Sequence, residues 1–138
     1  MREIPVHTKV LHPAELVQGM TYRDLEGLTV VLINMPLRES ATPNTPPQGP
    51  GLLAARLRQF GAKVSIVDLN AYRIKDESAH LAGKLNGRHL TYTEAKGLLT
   101  RHFNQHGEPD IIALSGMITT LRWQEWTVTT CRRLCPNA

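Results

Sequence analysis

The sequence predicts an α/β fold with a parallel sheet covered by helices on both faces. Three observations predict it: three short, β-branched apolar segments, helical periodicity in the stretches between them, and glycine or proline where each element should stop. The candidate strands run from Leu28 to Ile33, from Lys63 to Leu69 and from Asp110 to Leu114. Each is closed at its C-terminal end by polar or turn residues, as buried parallel strands commonly are.

Between the first two strands, Leu53, Leu57 and Phe60 recur at i, i+4 and i+7. This spacing predicts a helix that starts near Pro50 or Gly51 and is capped by Gly61. Between the second and third strands, Thr91 and Glu94 make a capping-box pattern, and Tyr92, Ala95, Leu99 and His102 or Phe103 share one helical face up to Gly107. A shorter helix is expected around Ser78 to Leu85. After the third strand, Thr119 or Thr120 can cap a last helix. Its apolar stripe takes in Trp123, Trp126 or Thr127, Cys131 and Leu134, and Pro136 ends it. Right-handed crossovers then give a flavodoxin-like (Rossmann-like) doubly wound sheet of order 2-1-3. Residues 1–27, with Pro13 suited to the first turn of a short helix, form an N-terminal extension, and 28–138 form the domain.

Composition narrows the function classes. The chain has 138 residues, enough for one domain and too few for a carrier domain joined to a catalytic barrel. Its apolar share of 41% and charged share of 20% are those of an ordinary globular protein. No apolar run approaches the roughly 18 residues that cross a bilayer. The first residues carry a charge pair and Pro5 where a signal peptide needs apolar chain, so a cytoplasmic address is expected. The net charge of +4 is spread along the length, without the basic run of a nucleic-acid interface. Cys131 and Cys135 stand at i, i+4 and make no disulfide framework.

The most informative stretch runs from Asn34 to Pro50, where Pro36, Pro43, Pro46, Pro47 and Pro50 crowd the connection from the first strand to its helix. Such connections usually take about two to six residues. A long, stiff loop at the carboxyl edge of a parallel sheet lies where open α/β sheets bind ligands.

The residues here resemble a known family. Asn44-Thr45-Pro46-Pro47-Gln48-Gly49, then Leu53-Ala54-Ala55-Arg56-Leu57-Arg58, Gly61, Val64 and Asp68-Leu69-Asn70, look like the opening of the N-terminal cobalamin-binding domain of cobalamin-dependent radical-SAM enzymes. Pro109 to Met117 resembles the strand and turn that lie against the cofactor's nucleotide tail in that family. The resemblance covers residues 28–138. It implies a corrinoid (cobalamin) site made of Asn34, Pro36, Asn44, Pro46, Pro47, Gly49, Ser115, Gly116, Met117, Ile118 and Thr119. Ser115 and Thr119 would hydrogen-bond the tail, and Met117 and Ile118 would pack on it.

Three departures from the family pattern refine that expectation. Asn34-Met35-Pro36-Leu37-Arg38-Glu39 stands where related carriers place Asp-x-His-x-x-Gly, so the resemblance implies a corrinoid held without a protein imidazole on cobalt. The family's fourth and fifth strands would follow Ala138, so the domain reads as cut short. The third strand then becomes an open edge at which two copies would pair. No Cys-x-x-x-Cys-x-x-Cys motif is present, so the resemblance implies that the 4Fe-4S cluster and S-adenosylmethionine belong to a radical-SAM domain of the parent, a methyltransferase.

Two other patterns compete. Gly49-Pro50-Gly51-Leu52-Leu53-Ala54 matches G-x-G-x-x-A, with Asp68 ending the second strand, and would suit a dinucleotide-binding domain of an oxidoreductase. That fingerprint needs a tight turn straight after the strand, and about fifteen residues intervene here. His102 with His106 and Cys131 with Cys135 could be drawn as a zinc site, but capping histidines and packed thiols account for the same spacings. A cofactor-free interaction module is the third alternative.

Overall fold

The computed structural model describes residues 22–36, 47–70 and 90–138. Three parallel strands form one sheet in the order β2-β1-β3: β1 (Thr29–Asn34), β2 (Lys63–Asp68) and β3 (Ile111–Ser115). The expected order 2-1-3 is therefore the one observed. Among the described residues α1 (Gln48–Gln59) lies between β1 and β2, α2 (Tyr92–His106) between β2 and β3, and α3 (Leu121–Leu134) follows β3. A 3-10 turn over Tyr22–Leu25 leads into β1. The expected helix around Ser78 to Leu85 and the residues about Pro13 lie outside the described residues.

Strand β1 is central because its side chains suit burial on both faces. Val31 and Ile33 face one core with Met35, Val67, Leu69, Ala95, Leu99, Phe103, Cys131 and Cys135. Val30 and Leu32 face the other, with Ala54, Ala62 and Val64. Among the described residues, helices α2 and α3 thus cover one side of the sheet and α1 covers the second. Truncating a fully buried residue such as Ile33 to alanine costs about 2–5 kcal/mol, much of what a domain this size has to spare.

The helix ends follow their local chemistry. In α2 the Thr91 hydroxyl accepts from the Glu94 N–H at 3.3 Å, while the Glu94 carboxylate accepts from the Thr91 N–H at 2.7 Å, the capping box read from the sequence. Gly107 ends α2 with φ of 82° and Gly61 follows α1 with φ of 85°, a region that glycine enters without strain. Helix α1 begins at Gln48, two residues before the expected Pro50. First-turn N–H groups have no partner within a helix, so Pro50 loses nothing inside that turn.

The buried face of α1 also differs from the expected Leu53, Leu57 and Phe60. Pro50 and Ala54 are buried, Leu57 and Phe60 are half-buried, and Leu53 is 48% exposed. Small Ala54 lets the helix approach the sheet closely, which turns Leu53 toward the carboxyl edge. The last helix departs in its cap. A 3-10 turn over Ile118–Thr120 precedes α3, and the Thr120 hydroxyl turns back to donate to the Met117 carbonyl at 2.8 Å instead of capping α3.

His102 is half-buried and its Nε2 lies 3.0 Å from the Ser65 hydroxyl across the α2–β2 contact. Burial, and then the neighbouring His106 ring at 4.6 Å between centroids, lower its pKa below 6.5. The folded protein therefore holds this ring neutral at pH values where the unfolded chain takes up a proton. Stability falls as pH drops below 6.5 and levels off below the folded-state pKa. We expect the melting temperature to fall between pH 7.5 and 5.5, and to fall less in His102→Gln, whose amide can still reach Ser65. Equal acid sensitivity in the two proteins, read by circular dichroism, would assign the effect to another group.

Candidate functional site

The carboxyl edge of the sheet carries a crevice whose walls come from both sides of the switch in strand order. From β1 the chain crosses to β2 by way of α1, and β3 returns on the other flank, so α1 and β3 diverge above Leu32. Between them lies a cavity of about 300 Å³ lined by Leu32, Gly49, Pro50, Leu53, Ala113, Leu114, Ser115 and Gly116. The register explains the composition. Leu32 lies beside Ala113 and Asn34 beside Ser115, so these side chains share the face that α1 covers only in part. Ala113 fills little of the space that a larger residue would occupy.

Each sequence-predicted site residue has a definite place. Gly49, Ser115 and Gly116 line the cavity. Pro47 is half-buried at the N-terminus of α1, with no side-chain cap on that helix end. Pro50 has no N–H and the Gly51 N–H donates to the Pro47 carbonyl at 2.8 Å, so Gln48 and Gly49 keep the first-turn N–H groups without a helical partner, Gly49 lining the cavity. Met117, Ile118 and Thr119 are exposed and follow the cavity wall directly, with Ile118 at 81% exposure. Pro36 is buried just past β1. Asn44 and Pro46 lie outside the described residues.

Asn34 is not free to meet a ligand through its amide. Its Nδ2 donates to the Asp68 carboxylate at 2.8 Å, and the same oxygen accepts from the Asn70 N–H at 3.0 Å, tying the tips of β1 and β2 together. This use of Asp68 also removes the acidic group that a dinucleotide site would hold ready for a ribose. Gly49 and Gly51 sit inside α1 rather than in a tight turn after β1, contrary to the geometry that the fingerprint requires. Asp110 is likewise engaged, its carboxylate accepting from the Thr29 N–H at 2.7 Å.

The sequence reading missed Leu32, Pro50, Leu53, Ala113 and Leu114 as wall residues. Pro50 read as a helix start and the others as strand or helix core, and only the position of α1 relative to β3 separates a packed from an unpacked apolar residue here. Ala113, small in a strand otherwise rich in large side chains, was the available signal.

The candidate zinc ligands do not gather. His102 is engaged by Ser65, while Cys131 and Cys135 are buried in the core under α3. Burial, with the Cys135 thiol nearby, pushes the Cys131 thiol up to about 12, and burial also raises Cys135. Both therefore stay protonated and behave as packing groups. Among the described residues no three of His, Cys, Asp and Glu group as metal ligands, and no helix is long and apolar enough to cross a membrane. Comparison of the chain with protein-family models, with curated proteins and with solved structures returned no match.

Gly116 fixes the floor of the crevice. A Cβ there would meet the Thr120 hydroxyl oxygen at 2.7 Å, the Gln124 amide nitrogen at 2.8 Å and Met35 Cγ at 3.0 Å. Those groups hold the turn, since the Met117 N–H donates to Thr120 Oγ1 at 3.1 Å and Gln124 donates to the Met117 carbonyl at 2.9 Å. Gly116→Ala is expected to lower stability by about 1–3 kcal/mol through overpacking. Denaturant unfolding checks it, and an unchanged midpoint would mean that the turn yields freely.

Proposed function

We infer that this chain is a corrinoid-binding module, holding the nucleotide tail of a cobalamin in the crevice and the corrin face above it. The observation that carries the reading is the apolar cavity at the carboxyl edge, walled by Gly49 and by the Ser115-Gly116 turn, the two motifs on which the sequence resemblance rests. A volume of about 300 Å³ is at the small end of ligand sites and suits a flat bicyclic base with part of its ribose, not a whole corrin. The ring would therefore lie outside, over the exposed apolar groups of Leu53, Met117 and Ile118.

The chemistry of the donors fits this division. Ser115 offers a hydroxyl and the Gln48 and Gly49 N–H groups at the start of α1 are without helical partners, donors of the kind that suit a ribose-phosphate and the amide side chains of a corrin. When bound, the cofactor supplies a cobalt able to carry a methyl group. The chain's own residues would bind and orient it, toward a radical-SAM domain carrying the iron–sulfur cluster and S-adenosylmethionine.

Anaerobic reconstitution with hydroxocobalamin, followed by gel filtration and an absorbance spectrum, tests the reading. Visible corrinoid bands are expected to co-elute with the protein. Leu53→Arg, a change at a half-exposed helix position, should lower retention at least tenfold while leaving the circular dichroism spectrum unchanged. Loss of the bands from the native chain, or equal retention by Leu53→Arg, would overturn the assignment of this site. Retention of NADH in place of the corrinoid would favour the dinucleotide alternative.

A further inference from the structure

The polar and apolar groups of the crevice lie at different depths. Ser115 ends β3 and Gly49 stands in the first turn of α1, so both belong to its mouth. Ala113 precedes Ser115 by two residues on the same face of the sheet, about 7 Å farther down the strand. It lies beside Leu32, which is 3% exposed, and these two make the floor. Pro50 and Leu53 close the α1 side.

That floor gives a ligand nothing to hydrogen-bond. Backbone N–H and C=O groups in a sheet point within its plane toward neighbouring strands, so the face presents side chains alone. At Leu32 and Ala113 those side chains are hydrocarbon. On the facing wall Pro50 has no N–H and Leu53 adds only hydrocarbon. A ring edge bearing an amine or a basic nitrogen would be stripped of water here and left unpaired, whereas a methylated edge gains by burial. Width is set at the same place, because Ala113 is the smallest side chain of β3 and any larger one would enter the cavity.

Resting on the corrinoid reading above, we propose that the crevice selects its cofactor by the base on the nucleotide tail, with Ala113 as the specificity-determining residue. It takes a dimethylbenzimidazole and discriminates against a purine. Dimethylbenzimidazole is a flat bicycle whose six-membered ring carries only methyl groups on its outer edge, while adenine carries an exocyclic amine and ring nitrogens around its own. The ribose and phosphate are common to both tails and meet Ser115 and the Gly49 N–H at the mouth. Discrimination therefore comes from the floor.

Anaerobic equilibrium dialysis with hydroxocobalamin, with its analogue carrying adenine as the base, and with cobinamide, which has the ring but neither ribose nor base, tests this. The native chain should bind hydroxocobalamin about tenfold or more tightly than the adenine analogue. Ala113→Leu should lower the affinity for hydroxocobalamin to that for cobinamide, leaving cobinamide binding and the far-ultraviolet spectrum unchanged. Ala113→Ser, which adds one hydroxyl to the floor, should narrow the preference severalfold by binding the adenine analogue better, a response that a purely structural role would not give. Equal affinity of the native chain for the two base-bearing corrinoids, or a preference unmoved by Ala113→Ser, overturns base selection while the corrinoid reading stands. So does a loss of cobinamide binding in Ala113→Leu equal to its loss of hydroxocobalamin. Binding of none of the three probes overturns both.

Discussion

The structure depends on β1 being satisfied in every direction at once. Its backbone is hydrogen-bonded to β2 on one side and to β3 on the other, and Val30 to Ile33 are all nearly inaccessible to water. A strand in that position must be apolar on both faces, and Thr29–Asn34 is. Because the chain leaves β1 toward β2 and later returns to β1's other edge, the helices on the two flanks part above the strand tips. The crevice is a consequence of that topology, and its residues are the ones that happen to end β1 and β3 and begin α1.

Polar groups at the strand tips are used to hold this geometry. The Asn34–Asp68–Asn70 cluster ties β1 to β2, Asp110 fixes the start of β3 against Thr29, and the Met117–Thr120–Gln124 cluster shapes the turn after β3. Each of these residue types could be mistaken for a catalytic group in a sequence. Their carboxylates and amides are instead occupied by neighbours, which leaves backbone donors, Ser115 and apolar surface as the binding chemistry of the crevice. It is on this surface that the proposed corrinoid site rests.

Strands, strand order and helix caps were legible in the sequence because each is set by local chemistry. The capping box at Thr91 and Glu94, the left-handed glycines and the alternation of periodicities all act over a few residues. Strand limits shifted by a single residue, as at β3, which runs to Ser115 rather than to Leu114. The misreadings share a different cause. Leu53 was assigned to the buried face of α1, and Leu32 and Ala113 to packed core, since periodicity reports which face is apolar but not how far a neighbouring element extends over it. Of Thr119 and Thr120, the two cap candidates, Thr120 holds the N-cap position, yet its hydroxyl is captured by Met117 in a tighter turn, a competition between two acceptable partners that spacing alone does not decide. The feature of the site carried by Asn44 and Pro46 falls outside the described residues.

The crevice and the open edge meet at β3, and this links them physically. Ala113 and Ser115 present their side chains to the cavity, while the outer backbone of the same strand has no partner among the described residues. A strand whose outer hydrogen bonds go to water opens more readily than one paired on both sides. The wall formed by Ser115 and Gly116 is therefore held from within by Met35, whose N–H donates to the Ser115 carbonyl at 2.9 Å, and by the turn beneath Gly116. On the crevice side the strand thus owes its rigidity to contacts within the chain, and a ligand resting on Ser115 and Gly116 would add to them.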